Sequence, residues 1–453
     1  MAGQSRPSLT ETLGNFVAAT DFAVIPPPVI DRAKVSFVHN FTMALAGRRR
    51  ESIAHVMAKR FWPSPAQATL LHDGTRVTVE AAAFANGALL HARSQDDTHA
   101  ASTSHPGSPV MAAALAVAET QCSSGAELLA AIVLGYEVLG RIGRDFDHLV
   151  TERGFRAACV FGAFGAAAAA AKLLSLSGGE TAQAIALAAH MAAGLSQVWE
   201  EGSPEFPLQL GFAARNGILA ARAAQAGATA ARHMLEGKGG FYRAYAGTQE
   251  PTREALAGLG THWQIAEATV KAYPVCAILQ GPVASMLKLI RTRNLNPASV
   301  TETILELSPY EAAYPGVDNC GPFASSAATK MSAQFSLGLA LTDQALTLGG
   351  LSRLDDAAIG AQAKRVSVVA NAALVPRASR LRLRLADGTA MMDEVTSPVG
   401  QPDFQEISAF AHSLIPETGL AQTAIDHLLS TVASLERAPD LRQLFDRAMF
   451  AGA

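Results

Sequence analysis

Between Ala82 and Ala116 the chain reads apolar, polar, apolar, and that order constrains its fold more than any other feature. Ala82-Ala83-Phe84-Ala85-Asn86-Gly87-Ala88 leads in, and Val110-Met111-Ala112-Ala113-Ala114-Leu115-Ala116 leads out. Between them stand Asp96-Asp97-Thr98-His99 and His105-Pro106-Gly107-Ser108-Pro109. Apolar runs of this kind predict two buried helices joined by a polar loop. Carboxylates, imidazoles and turn formers gathered at such a junction predict an active-site loop.

The same helical reading extends along most of the chain. Ser8 and Glu11 have capping-box spacing ahead of Leu9, Leu13, Phe16 and Val17, and Pro26-Pro27-Pro28 is expected to end that region. A second helix carries Val35, Val38, Phe41 and Leu45, and Ala-rich segments continue to about residue 260. After Trp263 the period changes. Val366-Ser367-Val368 and Leu381-Arg382-Leu383-Arg384-Leu385 alternate as strands, and Asp387-Gly388 is a hairpin signal. Helical periodicity returns at Phe404–His412 and Ala421–Leu435. The expected fold is mainly α. A large all-α helical domain spans residues 1–264 plus 401–453, and a smaller α+β domain over 265–400 is inserted into it.

Composition narrows the function. Of 453 residues 49% are hydrophobic, enough for large buried cores, and 17% are charged, below the roughly 25% of an average soluble domain. Surface buried between subunits would account for that shortfall, so an oligomer is expected. A net charge of -3 with scattered basic residues argues against nucleic-acid binding. The one basic run, Arg48-Arg49-Arg50, reads as a solvated helix end. Cys122, Cys159, Cys276 and Cys320 lack metal-site spacing and are expected to be reduced thiols in a cytoplasmic protein. Ser5-Arg6-Pro7-Ser8 leads into an amphipathic segment rather than a signal sequence, and Ala157–Ala171 is shorter than the about 20 residues a bilayer requires. No membrane association is expected.

The loop and the blocks that follow it resemble the signature of the MmgE/PrpD family, which includes 2-methylcitrate dehydratases, cis-aconitate decarboxylases and iminodisuccinate epimerases. The further blocks are Leu129–Val138 with Gly135-Tyr136-Glu137-Val138, Gly154-Phe155 with Phe161–Gly165, Gly211 with Ala213–Gly217, Lys271-Ala272-Tyr273-Pro274 and Ala333–Leu337. The resemblance implies a helical domain with a lid-like α+β insertion and a cleft between them. It also implies a homodimer, and proton removal or return beside a carboxylate, without a metal or an organic cofactor.

Such chemistry requires a base near neutral pKa, cations for carboxylates, and a stabiliser for enolate-like charge. His105 is the expected base, and Lys271 brings a cation from the opposite side of the cleft. Asp97 and Thr98 are expected to assist them catalytically. Asp96, His99, Arg156, Gln209, Tyr273 and Gln280 are expected to contact substrate. A metal is not expected, because the carboxylates are adjacent and no third ligand is visible. Tyr136, Arg141 and Arg215 read as packing residues, with Arg141 paired to Glu137.

Departures from the family pattern point to an altered pocket. Ser94 stands where an Asp is common, Arg156 where His is common, Phe206 and Gln209 where a Lys-x-Leu-His pattern is usual, and Gln280-Gly281 where His-Pro is frequent. Arg156 cannot act as an acid or base but can clamp a carboxylate, and Phe206 replaces a cation with an apolar wall. These changes predict a rebuilt pocket for a small carboxylic acid, with neither 2-methylcitrate dehydration nor cis-aconitate decarboxylation expected as the native reaction. The leading expectation is a dehydratase- or decarboxylase-like lyase. An isomerase or epimerase of a dicarboxylate, or a non-catalytic ligand-binding homologue, is the alternative.

Overall fold

The computed structural model describes residues 6–48, 52–144, 146–248, 253–396 and 400–450. Helices dominate the first half: α1 Leu9–Ala19, α2 Pro27–Gly47, α3 Ile53–Phe61, α4 Val79–His91, α5 Gly107–Gln121, α6 Gly125–Gly143, α7 Asp147–Glu152, α8 Ala157–Leu173, α9 Gly178–Ala188, α10 Gln197–Glu201 and α11 Phe206–Gln225. The capping box at Ser8 and Glu11 is formed, and Ser124 with Glu127 builds another at the start of α6. Pro27 and Pro28 open the first turn of α2 rather than closing α1, which already ends at Ala19. Proline suits that position because the first-turn amides have no intrahelical acceptor.

The Ala-rich α8 is buried along its length and packs against α5, α6 and α11. Small side chains let these backbones approach, so one continuous core forms from α1 through Val270 and resumes at Ile407. Two short ladders interrupt the helices: β1 Ala68–Thr69 with β2 Arg76–Val77, and β3 Thr98–His99 with β4 Ala268–Thr269, both antiparallel. The sequence showed no alternation there because each strand is two residues long.

A second core gathers residues from Val275 to Leu385 together with Val198, Trp199 and Phe206. Helix α12 (Gln280–Thr292) precedes β5 Val300–Leu307, and α13 (Ala333–Asp343) and α14 (Ala357–Ala363) precede β6 Val366–Ala370. Strands β7 Ser379–Leu385 and β8 Ala390–Val395 complete a sheet of order β6-β5-β7-β8. Only the β5–β6 pair is parallel in that sheet. In β7 the leucines are buried while Arg380, Arg382 and Arg384 pair with glutamates of β5 and β8. Helices α15 (Phe404–Ser413) and α16 (Gln422–Ala433) pack against α2 in the first core.

Arg48 differs from expectation. It is buried, and its Nη1 donates to the carbonyl of Met449 at 2.7 Å, whereas Arg49 and Arg50 lie outside the described residues. All four cysteines are free thiols. Among the described residues no helix is long and apolar enough to cross a membrane.

Candidate active site

The polar loop is pinned at both ends. The Asp97 carboxylate accepts from the amide of Gly107 at 2.9 Å and from the Tyr136 hydroxyl at 2.5 Å. Gly107 is required there, since a Cβ would lie 2.2 Å from Asn40 Nδ2. The loop is also stitched to the segment carrying Lys271. Pairing of β3 with β4 sets Thr98 opposite Thr269, and Gln95 Nε2 donates to the carbonyl of Ala272 at 2.9 Å. This crossing delivers Lys271 to a loop far away in sequence.

Lys271 is buried, and its ammonium donates to the carbonyl of Ser94 at 2.7 Å and to Asp96 Oδ1 at 3.3 Å. His105 Nδ1 lies 3.3 Å from the same ammonium and 3.0 Å from the carbonyl of Asp97. With Nδ1–H given to the Asp97 carbonyl, Nε2 keeps a lone pair, and the ammonium beside Nδ1 is a charge contact whose own protons go to Ser94 and Asp96. Burial, reinforced by the Lys271 charge, holds His105 well below the ordinary imidazole range. Burial also lowers Lys271, opposed by Asp96. His105 is therefore a neutral imidazole beside a cation.

His91, the last residue of α4, was not singled out from the sequence. Its Nδ1 donates to Asp96 Oδ2 at 2.8 Å, and its Nε2 accepts from Arg156 Nη2 at 2.5 Å. Burial pushes it down to about 4, so it is neutral and relays orientation between Arg156 and Asp96. Its position five residues before Asp96, at the end of the lead-in helix, was the available signal. Asp96 also accepts from Ser108 Oγ at 2.5 Å, and its cationic and imidazole neighbours hold it ionised against burial.

One cavity of about 670 Å³ opens on this cluster. His91, Ser94, Thr98, His105, Arg156 and Lys271 line one part, and Trp199, Cys276, Ile278 and Met331 add apolar wall. Tyr310, Tyr314 and Arg377 also line it, contributed from the β-containing region. No sequence signal marked these three, because nothing near them in the chain is unusual. The hydroxyl of Ser94 is buried without a protein partner, and Ser94 adopts a left-handed φ of 54°.

Several expected contacts lie behind the cavity wall. Asp96 and Asp97 are fully buried and spend their oxygens on protein donors, so they position the loop and do not line the cavity. His99 faces away, to Ser102 Oγ at 2.8 Å and Glu267 at 3.5 Å, because side chains alternate across the strand that turns Thr98 inward. Gln280 staples the loop before α12 through the backbone of Tyr273 and Val275, and Tyr273 packs on the second core. Gln209 accepts from Arg156 Nη1 at 3.2 Å and does not line the cavity. Phe206 is not a wall residue either. It buttresses Trp199 at a ring distance of 5.1 Å, and Lys330 Nζ stands 5.1 Å over its ring.

Arg156 does reach the cavity, stacked 4.6 Å over Trp199 and bonded to the carbonyl of Phe206 at 2.7 Å. Tyr136, Arg141 and Arg215 have packing roles as expected. Arg141 pairs with Glu137 at 2.6 Å, and Arg215 stacks on Phe212 at 5.2 Å. Ligand atoms of His91, Asp96 and His105 lie within 4.8 Å of one another, a grouping the linear spacing did not reveal. Lys271 and Arg156 already supply positive charge to it.

The chain is similar to several known proteins. A cis-aconitate decarboxylase of Aspergillus terreus (strain NIH 2624 / FGSC A1156) is 27% identical over 93% of this chain and 92% of its own. A cis-aconitate decarboxylase-like protein of Aspergillus oryzae is 29% identical over 63% of this chain and 62% of its own. The human cis-aconitate decarboxylase is 28% identical over 59% and 56%. Residues 11–254 match the model of the MmgE/PrpD N-terminal domain, and on a match of that extent the chain belongs to the MmgE/PrpD family.

Proposed function

We propose that the chain is a lyase of the dehydratase or decarboxylase type, acting on a small carboxylic acid in the cavity between the helical domain and the α+β domain. The observation that carries this reading is the contact of His105 Nδ1 with Lys271 Nζ at 3.3 Å on the wall of that cavity. In dehydration His105 Nε2 takes a proton from the carbon beside the substrate carboxylate, and the hydroxyl on the next carbon leaves as water with a proton from the Lys271 ammonium. In decarboxylation the C–C bond breaks, carbon dioxide leaves, and protonated His105 returns a proton to the carbon that keeps the electron pair. The Lys271 ammonium stabilises the enolate-like charge that develops, and needs no reorganisation because Ser94 and Asp96 already hold it. Thr98, Arg156 and the unpartnered Ser94 hydroxyl are the nearest groups to bind carboxylate. No cofactor takes part in this scheme.

The relatives' names favour decarboxylation of an unsaturated tricarboxylate. Against the same substrate stands the apolar wall of Trp199, Ile278 and Met331, which suits an acid with an apolar arm in place of one carboxylate. Proton NMR in deuterium oxide with a panel of di- and tricarboxylic acids tests the reading. Loss of carbon dioxide with deuterium gained at carbon, or loss of water with the substrate C–H proton released to solvent, supports a lyase. Exchange without net conversion favours an epimerase, and silence with retained ligand binding overturns catalysis.

An exposed aromatic strip supports pairing with a second copy. Phe61, Trp62 and Phe212 are exposed, and their rings join through Phe84 at distances of 5.0 to 6.4 Å. Sedimentation of Trp62→Glu beside the unaltered chain tests it, with dissociation expected.

A further inference from the structure

Outside the cavity, a second group of nitrogen and oxygen donors meets where α3 crosses the turn between β1 and β2. His55 comes from α3, and His72 and Asp73 come from the turn. The two imidazole rings stack with centroids 4.0 Å apart and planes inclined by 24°. His55 Nε2 lies 3.2 Å from Asp73 Oδ2, and one ligand atom from each of the three residues falls within 4.8 Å of the others. Asp73 Oδ1 accepts from the amide of Thr75 at 2.9 Å, which fixes the carboxylate with Oδ2 turned toward the histidines.

The geometry points to a divalent transition-metal site, suited to zinc, with His55, His72 and Asp73 as ligands and solvent in the fourth position. A tetrahedral ion with bonds of about 2.0–2.2 Å sets neighbouring ligand atoms roughly 3.3 Å apart, which the 3.2 Å between His55 Nε2 and Asp73 Oδ2 matches, while the stacked His72 ring must turn about its side-chain bonds to aim its lone pair at the same ion. Two imidazoles with one carboxylate favour zinc and its neighbours over magnesium or calcium, which take oxygen donors. Lys59 Nζ stands 2.9 Å from the same Asp73 oxygen, so the site already holds positive charge. Its side chain is 44% exposed and can withdraw to solvent as the ion enters. Asp73 also lines an open recess of about 880 Å³, which gives the ion a route in and water for the open position. The ion would clasp α3 to the β1–β2 turn, a stabilising role separate from the chemistry at His105.

Calorimetric titration of the EDTA-treated full chain with zinc chloride, paired with thermal unfolding, tests the site. One zinc per chain and a raised Tm are expected. His72→Ala and Asp73→Asn should weaken binding at least tenfold, and His105→Ala should leave it unchanged. Lys59→Ala removes the competing ammonium without touching a ligand and should tighten binding several-fold. No stoichiometric zinc, equal binding by His72→Ala, an unchanged constant in Lys59→Ala, or loss of binding in His105→Ala would each overturn the assignment.

Discussion

Lys271 and Asp96 are 175 residues apart in the chain, yet the lysine Nζ lies 3.3 Å from the aspartate Oδ1, with both side chains at most 2% exposed. The pair joins the loop after α4 to the segment after β4 and sets the cation against His105. Removing one partner strands the other charge in the interior, which costs about 3–5 kcal/mol. Lys271→Met should therefore lower both activity and Tm. Lys271→Met combined with Asp96→Asn should regain most of the stability and none of the activity. Denaturant midpoints and turnover of the two variants check this, and additive stability losses would show that the pair is uncoupled.

His105→Ala isolates the base. The residue is partly exposed at the cavity wall, so thermal stability should hold within a few degrees. Proton exchange with substrate should fall by roughly 10²–10⁴, the range for loss of a positioned general base. A collapse of Tm with turnover would instead mark His105 as structural.

Arg156 holds His91, Phe206 and Gln209 as well as facing the cavity. Arg156→Lys keeps the charge but cannot make these bonds together. Each buried bond to a charged group contributes about 1.5–3 kcal/mol, so kcat/KM should fall by roughly 10- to 100-fold. Kinetics that split kcat from KM would separate the roles: a change in KM alone marks a pure substrate clamp, and a fall in kcat marks misplacement of His91 and Asp96.

Acid should destabilise the fold through its buried histidines. Burial pushes His39 and His91 down to about 4 from the ordinary 6.5. The unfolded chain binds protons that the folded chain refuses, so this stability is complete above about pH 6.5 and is lost as pH falls toward 4. The slope approaches about 1.4 kcal/mol per pH unit for each ring. Asp97, pushed up to about 6 by burial, acts in the opposite sense and offsets part of it between its ordinary 3.8 and 6. Urea midpoints at pH 7, 6 and 5 should fall in that order. His39→Gln should flatten the trend, and an unaltered slope would contradict it.

Gly135 of α6 and Gly165 of α8 face one another. A Cβ on Gly135 would meet Gly165 O at 2.9 Å, and one on Gly165 would meet Gly135 O at 2.7 Å. Gly165→Ala should cost about 1–3 kcal/mol by overpacking, against the gain in helix propensity. A rise in Tm would show that the two helices part without strain.

Part of the site was legible in the sequence because its residues are local. Asp96, Asp97, Thr98 and His105 sit in one loop, and Ser8 with Glu11 or Asp387-Gly388 are signals complete within four residues. Tyr310, Tyr314 and Arg377 were missed because they join the cavity only after the second core has formed. Gln209 and Gln280 were read as substrate contacts from their places in motifs, but their amides are consumed by Arg156 and by the backbone around Tyr273.

The sequence by itself determined the helical framework, the alternating β7 and the loop that holds His105, because periodicity and turn chemistry act over a few residues. Only the tertiary structure decided which polar groups face the cavity. The pairing of β3 with β4 brought Lys271 to His105, turned Thr98 inward and His99 outward, and left Asp96 and Asp97 behind the wall. A side chain's role there depends on which of its atoms the fold leaves without a partner, and partners come from segments that linear order keeps far apart.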